Sequence, residues 1–147
     1  MSGVQDFEGL LRGLKLRATP KRRAILEVMA AESTFLSPEE LQRKVSERGR
    51  NVGLPTVYRI LDELANGGVV TRVLHDNRQL YYYLCANKGH HHHFVCLSCR
   101  KVEDIGLCLG EALEQEVAQR IKGALFSHIL QLQGLCRECR EALSKVS

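Results

Sequence analysis

Two Cys-x-x-Cys pairs constrain this chain more than any other feature of its sequence. Cys96 and Cys99 form the first pair, and Cys136 and Cys139 form the second. A turn of this kind lets two thiolates bind one ion at about 2.3 Å, and a second turn completes the tetrahedron that Zn²⁺ prefers. We therefore expect a structural zinc site made of these four cysteines, which ties the end of the chain to its middle.

Length and composition narrow the class of protein further. With 147 residues, the chain has the size of one domain or of two very small ones, and small domains usually need a staple such as a metal site. There is no run of about 18 apolar residues and no apolar signal-peptide core near the start, so we expect a cytoplasmic protein without a membrane span. In a reducing cytosol, the six cysteines are expected to be thiols and metal ligands. The net charge of +4 is compatible with a nucleic-acid partner.

The first half of the sequence predicts four helices followed by a β-hairpin. Apolar residues at helical spacing predict the first helix over residues 7–16. Thr19 and Ser37 each precede a proline, which is typical of capped helix starts. A fourth helix is predicted over residues 54–64, and alternating apolar runs with an intervening turn predict a hairpin over residues 69–85. Helix, short turn, helix and hairpin together indicate a winged helix.

This winged helix is predicted to span residues 1–85 and to bind duplex DNA with its fourth helix in the major groove. Thr56, Tyr58 and Arg59 are the outward polar residues of that helix, and they can contact bases or phosphates. For Tyr58, packing against the wing is the alternative. Arg22 lies in the first turn of the second helix, where the helix dipole disfavours a cation unless an anion such as a phosphate is near. A solvated charge is the alternative for Arg22.

The second half of the sequence predicts a small α/β domain suited to dimerisation. Residues 86–89 have the composition of a hinge, and residues 90–147 follow it. The complete chain is therefore expected to have an α+β fold, with a winged-helix DNA-binding domain followed by an α/β dimerisation domain. The elements predicted from periodicity are strands over residues 90–96, 101–105 and 125–133 and a helix over residues 109–121.

A run of four histidines leads into the first cysteine pair. Because successive side chains of a strand point to opposite faces, His90 and His92 are expected on one face, and His91 and His93 on the other. The run can therefore serve two different ions. A satisfied polar surface residue is the alternative for each single histidine, but four in succession beside two thiols favour metal binding.

Each face of the histidine run has candidate partners elsewhere in the sequence. For the first face, Glu111 and His128 supply the further ligands of a mixed nitrogen and oxygen site. For the second face, the candidates are Cys85 at the end of the hairpin and His75 or Asp76 at its turn. A thiolate among the ligands would shift the metal preference towards zinc, whereas imidazole alone suits zinc, iron and nickel.

In these features the chain resembles the ferric uptake regulator family of metal-dependent bacterial repressors. The resemblance runs from Leu14 to Cys139, in order and at consistent spacing. It implies a winged-helix DNA-binding domain with Arg17 among its contacts, a hinge, an α/β domain that forms a homodimer, and a corepressor metal that switches on binding to an AT-rich inverted-repeat operator. The matching pieces include Leu14-x-x-Arg17-x-Thr19-x-x-Arg22, Gly53-Leu54-x-Thr56-Val57-Tyr58-Arg59-x-Leu61, the histidine run with Cys96-x-x-Cys99-x-Lys101-Val102, and Cys136-x-x-Cys139.

Carried over residue by residue, the resemblance implies three metal sites. The first is the structural zinc site of the four cysteines, and the second is a sensor site with His91 and His93, which the acidic residue Asp104 sometimes joins. Cys108 has no role in the family pattern, and a free thiol is the alternative for it. The third site is implied at His90, His92, Glu111 and His128.

The sensor site departs from the pattern of iron-sensing and peroxide-sensing members. Phe35 stands where those members carry a histidine, and Tyr83 stands where they carry a carboxylate. Cys85 instead resembles the sensor cysteine of the zinc uptake regulator branch. We therefore expect a zinc-responsive repressor of metal uptake genes, with an Fe²⁺-responsive or Mn²⁺- and peroxide-responsive repressor as the alternative.

Three alternatives come from other classes of protein. A zinc metalloenzyme would use Glu111 as a base, but the sequence contains no His-Glu-x-x-His motif. A thiol oxidoreductase would use Cys96 and Cys99, but such a motif normally opens a helix, and a strand-like segment follows here. A structural zinc module that binds another protein is the third. We expect no enzymatic activity and no small-molecule substrate.

Overall fold

The computed structural model describes residues 6–85, 91–128 and 130–146. The chain divides into two compact units, Met1–Ala86 and Asn87–Ser147. The predicted hinge, residues 86–89, lies outside the described residues. Within the described ranges, no helix is long and apolar enough to cross a membrane.

Four helices open the first unit, and their starts are specified locally. Thr19 caps the second helix by accepting the N–H of Arg22, and Ser37 caps the third in a reciprocal pair with Glu40. Because a cap needs only neighbouring residues, the helices begin where the sequence predicts, although the first ends earlier than expected. The helices are α1 (Phe7–Gly13), α2 (Pro20–Ala30), α3 (Pro38–Glu47) and α4 (Leu54–Asn66).

A β-hairpin completes the first unit. Strand β1 (Val70–Leu74) pairs antiparallel with β2 (Leu80–Leu84). Leu36, just before α3, exchanges two backbone hydrogen bonds of 2.8 and 2.9 Å with Tyr82 in β2. This bridge fixes the hairpin to the helices, and the unit is a winged helix as predicted.

The apolar faces of the four helices form one core in the first unit. Leu11, Ile25, Leu41 and Leu61 come from different helices, and all four side chains are buried. Removing such a side chain typically costs about 2–5 kcal/mol, because a cavity remains. This core lies entirely within the first unit, so its packing does not depend on the metal-ligand residues of the second.

The second unit is built on a three-stranded sheet in the order β4-β3-β5. Its central strand pairs antiparallel with one neighbour and parallel with the other. A short helix and a π-helical turn, Val117–Ile121, lie between β4 and β5. The other elements are β3 (His92–Cys96), β4 (Val102–Ile105), α5 (Gly110–Glu116), β5 (Gln131–Gly134) and α6 (Arg137–Val146).

Two predictions for the second unit are wrong. The strand predicted over residues 125–133 is reduced to Gln131–Gly134, and Phe126, which lies in the predicted range, is 96% exposed. A strand extends only as far as its partner, and β5 pairs with β3 from His93 to Cys96. The helix predicted over residues 109–121 is split into α5 and the π-helical turn, and α6 was not predicted.

Candidate metal centres

The four cysteines of the two Cys-x-x-Cys pairs come together at one end of the sheet. Cys96 ends β3 and Cys99 lies in the following turn, while Cys136 follows β5 and Cys139 lies in the first turn of α6. Their sulfur atoms all lie within 4.8 Å of one another. The separation of 3.7 Å between the Sγ atoms of Cys99 and Cys136 matches the ~3.8 Å edge of a tetrahedron with zinc–sulfur bonds of about 2.3 Å. The geometry fits a four-thiolate zinc site.

The charges that these thiols can carry also fit a bound cation. Burial alone would raise the pKa of Cys96, but backbone N–H groups of Cys99, Cys136 and Ser98 bring this pKa down to about 6. A backbone hydrogen bond from Cys139 favours the thiolate of Cys136, yet burial and the neighbouring thiols raise the pKa of Cys136 to about 12. One thiol of the cluster therefore ionises readily, whereas further ionisation is opposed by repulsion between the thiolates. A bound divalent cation would remove this repulsion.

A second group of ligands lies on the paired strands β3 and β4 of the second unit and in the residue just before β3. The Nε2 atoms of His91 and His93 lie 3.1 Å apart. Asp104, opposite His93 in the register of β3 and β4, places Oδ1 3.4 Å from His93 Nε2 and 3.9 Å from His91 Nε2. Burial and the neighbouring His91 lower the pKa of His93, which keeps its imidazole neutral and able to bind a metal. Imidazoles and a carboxylate at these separations can bind one divalent cation.

A third group includes a residue that the sequence interpretation left without a role. His92 and His128 approach each other as expected, and their Nε2 atoms are 3.3 Å apart. The third member is Cys108, whereas Glu111 is exposed on α5 and belongs to none of the ligand groups among the described residues. His90, expected on this face, lies outside the described residues. An unexplained cysteine just before a helix start was the only signal that the sequence offered.

The remaining sensor candidates belong to the first unit. Cys85 follows β2, and its backbone N–H donates to the carbonyl of Val69. The ring of His75 packs in an aromatic cluster with Phe35 and Tyr81, and its Nδ1 accepts the N–H of Asn77 at 3.1 Å. Asp76, at the hairpin turn, is exposed.

The outward face of α4 carries the predicted DNA contacts. Tyr58 and Arg59 are exposed, and Thr56 is half-buried. The hydroxyl of Tyr58 is bonded to α3 and not to the wing, since its O–H donates to Oε1 of Glu39 at 2.9 Å. This hydrogen bond raises the pKa of Tyr58. Arg17, which precedes α2, is exposed as well. This face therefore presents hydrogen-bonding and cationic groups to an approaching partner.

Arg22 differs from the other predicted DNA contacts because its guanidinium is already bound within the unit. Nε and Nη2 donate to the carboxylate of Glu63 in α4 at 3.1–3.2 Å, and Nη1 donates to the carbonyl of Arg17 at 3.0 Å. Its side chain is only 13% exposed. A bidentate pair of this kind fixes α2 against α4. From the sequence, a phosphate and solvent were the two alternatives for this cation, because the distant Glu63 was not visible as its partner.

Replacing Arg22 with alanine is expected to lower the free energy of unfolding by about 1.5–3 kcal/mol, because the partly buried Glu63 carboxylate loses its charged partner. Arg59 to alanine is the matched control: Arg59 contacts the same carboxylate at 3.5 Å, but its side chain is 61% exposed. That change should stay within about 0.5 kcal/mol. Urea unfolding of the full chain measures both, and equal losses would contradict the assignment of Arg22.

A winged helix followed by a unit rich in clustered cysteine, histidine and aspartate ligands defines a metal-binding winged-helix protein. The sequence comparisons agree, since residues 13–133 match the ferric uptake regulator family. This chain belongs to that family. Its members are transcriptional regulators and not enzymes, so the metalloenzyme and thiol oxidoreductase alternatives are set aside.

Similar proteins include both iron and zinc regulators. The chain is 34% identical to the ferric uptake regulation protein of Escherichia coli (strain K12) over 141 residues, covering 94% of this chain and 95% of that protein. A zinc uptake regulator solved with zinc and DNA superposes with a TM-score of 0.75 at 27% identity, covering 94% and 93% of the two chains. The Helicobacter pylori ferric uptake regulator has a TM-score of 0.68 at 26% identity, covering 95% and 97%.

Proposed function

We propose that this protein is a zinc-responsive transcriptional repressor that binds operator DNA as a homodimer and controls metal uptake genes. The observation that carries the proposal is the grouping of His91, His93 and Asp104 in the second unit, with Cys85 six residues before His91 in the sequence. Membership of a family of metal-dependent regulators supports it. We place the protein in the cytoplasm, where its operator and reduced thiols would be found.

The DNA-binding part of the proposal rests on the exposed face of α4. Arg59 can donate to guanine or phosphate, and Tyr58 can contact a thymine methyl or a phosphate. Arg17 would add a backbone contact, and the net charge of +4 would favour approach to DNA. The structural relative solved with zinc and DNA supports this assignment for the winged helix. The proposed operator is an inverted repeat, because two copies of a winged helix in a symmetric dimer read two half-sites, and its AT-rich composition is what the family resemblance implies.

The sensor part of the proposal adds Cys85 to the group of two histidines and Asp104. Cys85 precedes His91 by six residues. A linker that extends at most about 3.3–3.6 Å per residue keeps these two residues near each other, so both can bind the same ion. Bound zinc would supply a positive charge shared by these ligands. Cys85 would thereby be held to the histidine group, and the two winged helices of a dimer would keep one separation.

Zinc is favoured over iron by the residues that replace the usual ligands. Phe35 stands where iron-sensing members carry a histidine ligand. Its ring is fully buried, 4.9 Å from the ring of Tyr81, and it has no atom that can bind a metal. A cysteine ligand shifts a site towards zinc, whereas nitrogen and oxygen ligands suit iron and manganese. Relatives of this chain are ferric uptake regulation proteins, so Fe²⁺ is the main competing corepressor, with Mn²⁺ as a further alternative.

The full protein is expected to bind an AT-rich inverted-repeat duplex only when buffered free Zn²⁺ is raised, with Fe²⁺ (kept anaerobic) and Mn²⁺ titrated in parallel. Arg59 to alanine should weaken zinc-dependent binding by about 5–150-fold, equivalent to about 1–3 kcal/mol. Fluorescence anisotropy at fixed ionic strength measures the affinity.

Arg120 to alanine is the control for that titration. It removes the same charge from an arginine of the second unit that is 78% exposed, and binding should be unchanged. Binding that responds to iron or manganese and not to zinc would refute the zinc assignment. Binding that responds to no metal would refute the repressor proposal.

A further inference from the structure

The third ligand group of the second unit departs from the family pattern at Cys108, a residue to which that pattern gives no role. We propose that His92, Cys108 and His128 bind a thiophilic divalent ion of the Zn²⁺ class, with Cys108 as a thiolate ligand in the place expected for Glu111. The inference concerns metal binding by the second unit alone, and it does not depend on the DNA-binding function proposed above.

The three ligand atoms already lie at the separations that a tetrahedral ion requires. The Nε2 atoms of His92 and His128 are 3.3 Å apart, and Sγ of Cys108 lies 3.3 and 3.5 Å from them. Bonds of about 2.05 Å to nitrogen and 2.3 Å to sulfur give tetrahedral edges of about 3.3 Å between nitrogens and 3.6 Å between nitrogen and sulfur. The group thus forms one face of a tetrahedron and leaves a fourth position for water or a further ligand.

The surrounding structure holds these side chains in place. His92 is buried at the start of β3, opposite Ile105 of β4, so its ring is fixed by the sheet. The N–H of Gly110, at the start of α5, donates to Sγ of Cys108 at 3.4 Å, which favours a thiolate. The ring of His128 lies 5.1 Å from that of His92. Each ligand comes from a different segment, so the group is assembled by the fold.

Because Gly110 has no side chain, the ring of His128 and the thiol of Cys108 can lie close to its Cα atom. A Cβ atom built at this position would lie 2.9 Å from Cε1 of His128 and 3.3 Å from Sγ of Cys108. A methyl group there would force the imidazole of His128 to shift and would crowd the thiol of Cys108. The absent side chain of Gly110 is therefore a requirement of the close approach.

The thiolate determines which ions this site selects. Two imidazoles with a carboxylate suit zinc, iron and manganese alike, whereas two imidazoles with one thiolate favour zinc over iron and manganese. With Cys108 as a ligand the site would therefore prefer zinc, whereas with Glu111 in its place it would bind zinc, iron and manganese alike.

Cobalt(II) titration tests the ligand set, because a thiolate bound to Co²⁺ gives a near-ultraviolet charge-transfer band that imidazole and carboxylate do not give. The test uses the full chain carrying Cys85→Ser with zinc retained in the four-cysteine site, which elemental analysis checks. Of the five cysteines that remain in this variant, only Cys108 lies outside that site. We expect the band to appear and saturate on titration.

Two double variants identify the ligand. Adding Cys108→Ser to the Cys85→Ser chain should abolish the band, and adding Glu111→Gln should leave it unchanged. A band that survives without Cys108, or no band in the Cys85→Ser chain, would overturn the inference. Metal-dependent DNA binding of the wild-type chain is measured separately, so failure of the repressor proposal and failure of this one are distinguishable.

A pair of glycine variants tests the geometry without touching a ligand. In the same Cys85→Ser background, Gly110→Ala should weaken cobalt binding by about 10–100-fold, as expected when the support of a ligand is lost. Gly106→Ala is the matched control, because nothing lies within 4 Å of a Cβ built at Gly106. Equal cobalt affinities for the two variants would overturn the proposed arrangement.

Discussion

Replacing Cys96 with serine is expected to release the zinc of the four-cysteine site and to unfold the second unit. Cys96 is fully buried at the end of β3, and its Sγ accepts the N–H of Cys136 at 3.3 Å. The site joins β3 to α6 in a unit with few buried apolar side chains. Structural zinc contributes about 10–16 kcal/mol of apparent binding free energy in small domains. That exceeds the about 5–15 kcal/mol by which whole domains are usually stable.

Zinc content and far-ultraviolet circular dichroism measure this effect together. Zinc at the site should fall from one ion per chain to none, and the signal of α6 should be lost, while the first unit keeps its own core. Cys108 to serine is the control, since its exposed thiol is outside the four-cysteine group: the zinc of that group and the signal of α6 should remain, although an ion bound at Cys108 itself would be lost. Wild-type zinc content and unfolding in the Cys96 variant would rule out a structural zinc role.

Replacing Cys85 with serine is expected to abolish the zinc response of DNA binding, which amounts to a loss of about 5–150-fold at saturating zinc. Serine keeps the size of the side chain but is a much poorer zinc ligand than a thiolate. The winged helix itself should remain folded, because its core consists of apolar side chains from the four helices and the hairpin. Affinity without added zinc should therefore match that of the wild type.

Anisotropy titrations at buffered zinc measure the response, with zinc content showing that the four-cysteine site stays filled. His93 to alanine should give the same loss as Cys85 to serine. His75 to alanine and Asp76 to asparagine test the hairpin turn, and the variant that loses the response identifies the ligand there. A Cys85 variant that responds like the wild type would contradict the proposed sensor.

Local features of the sequence were sufficient for much of this fold. Thr19 and Ser37 with their following prolines fix two helix starts, since a cap involves only residues of the first turn. The two-residue period of a strand separates His92 from His91 and His93. Likewise, the cysteine spacing predicts that the four thiols meet, because each turn presents two of them in one direction.

Contacts between distant segments were decided only by the tertiary structure. The partner of Arg22 is Glu63, and the length of β5 follows from its pairing with β3. Cys108 and Glu111 are close in sequence and both can bind a metal, yet only the thiol meets the two imidazoles. The physical reason is the same in each case: caps and strand periods act within a few residues, whereas ion pairs, strand ends and ligand sets depend on which segments the folded chain brings within a few ångströms.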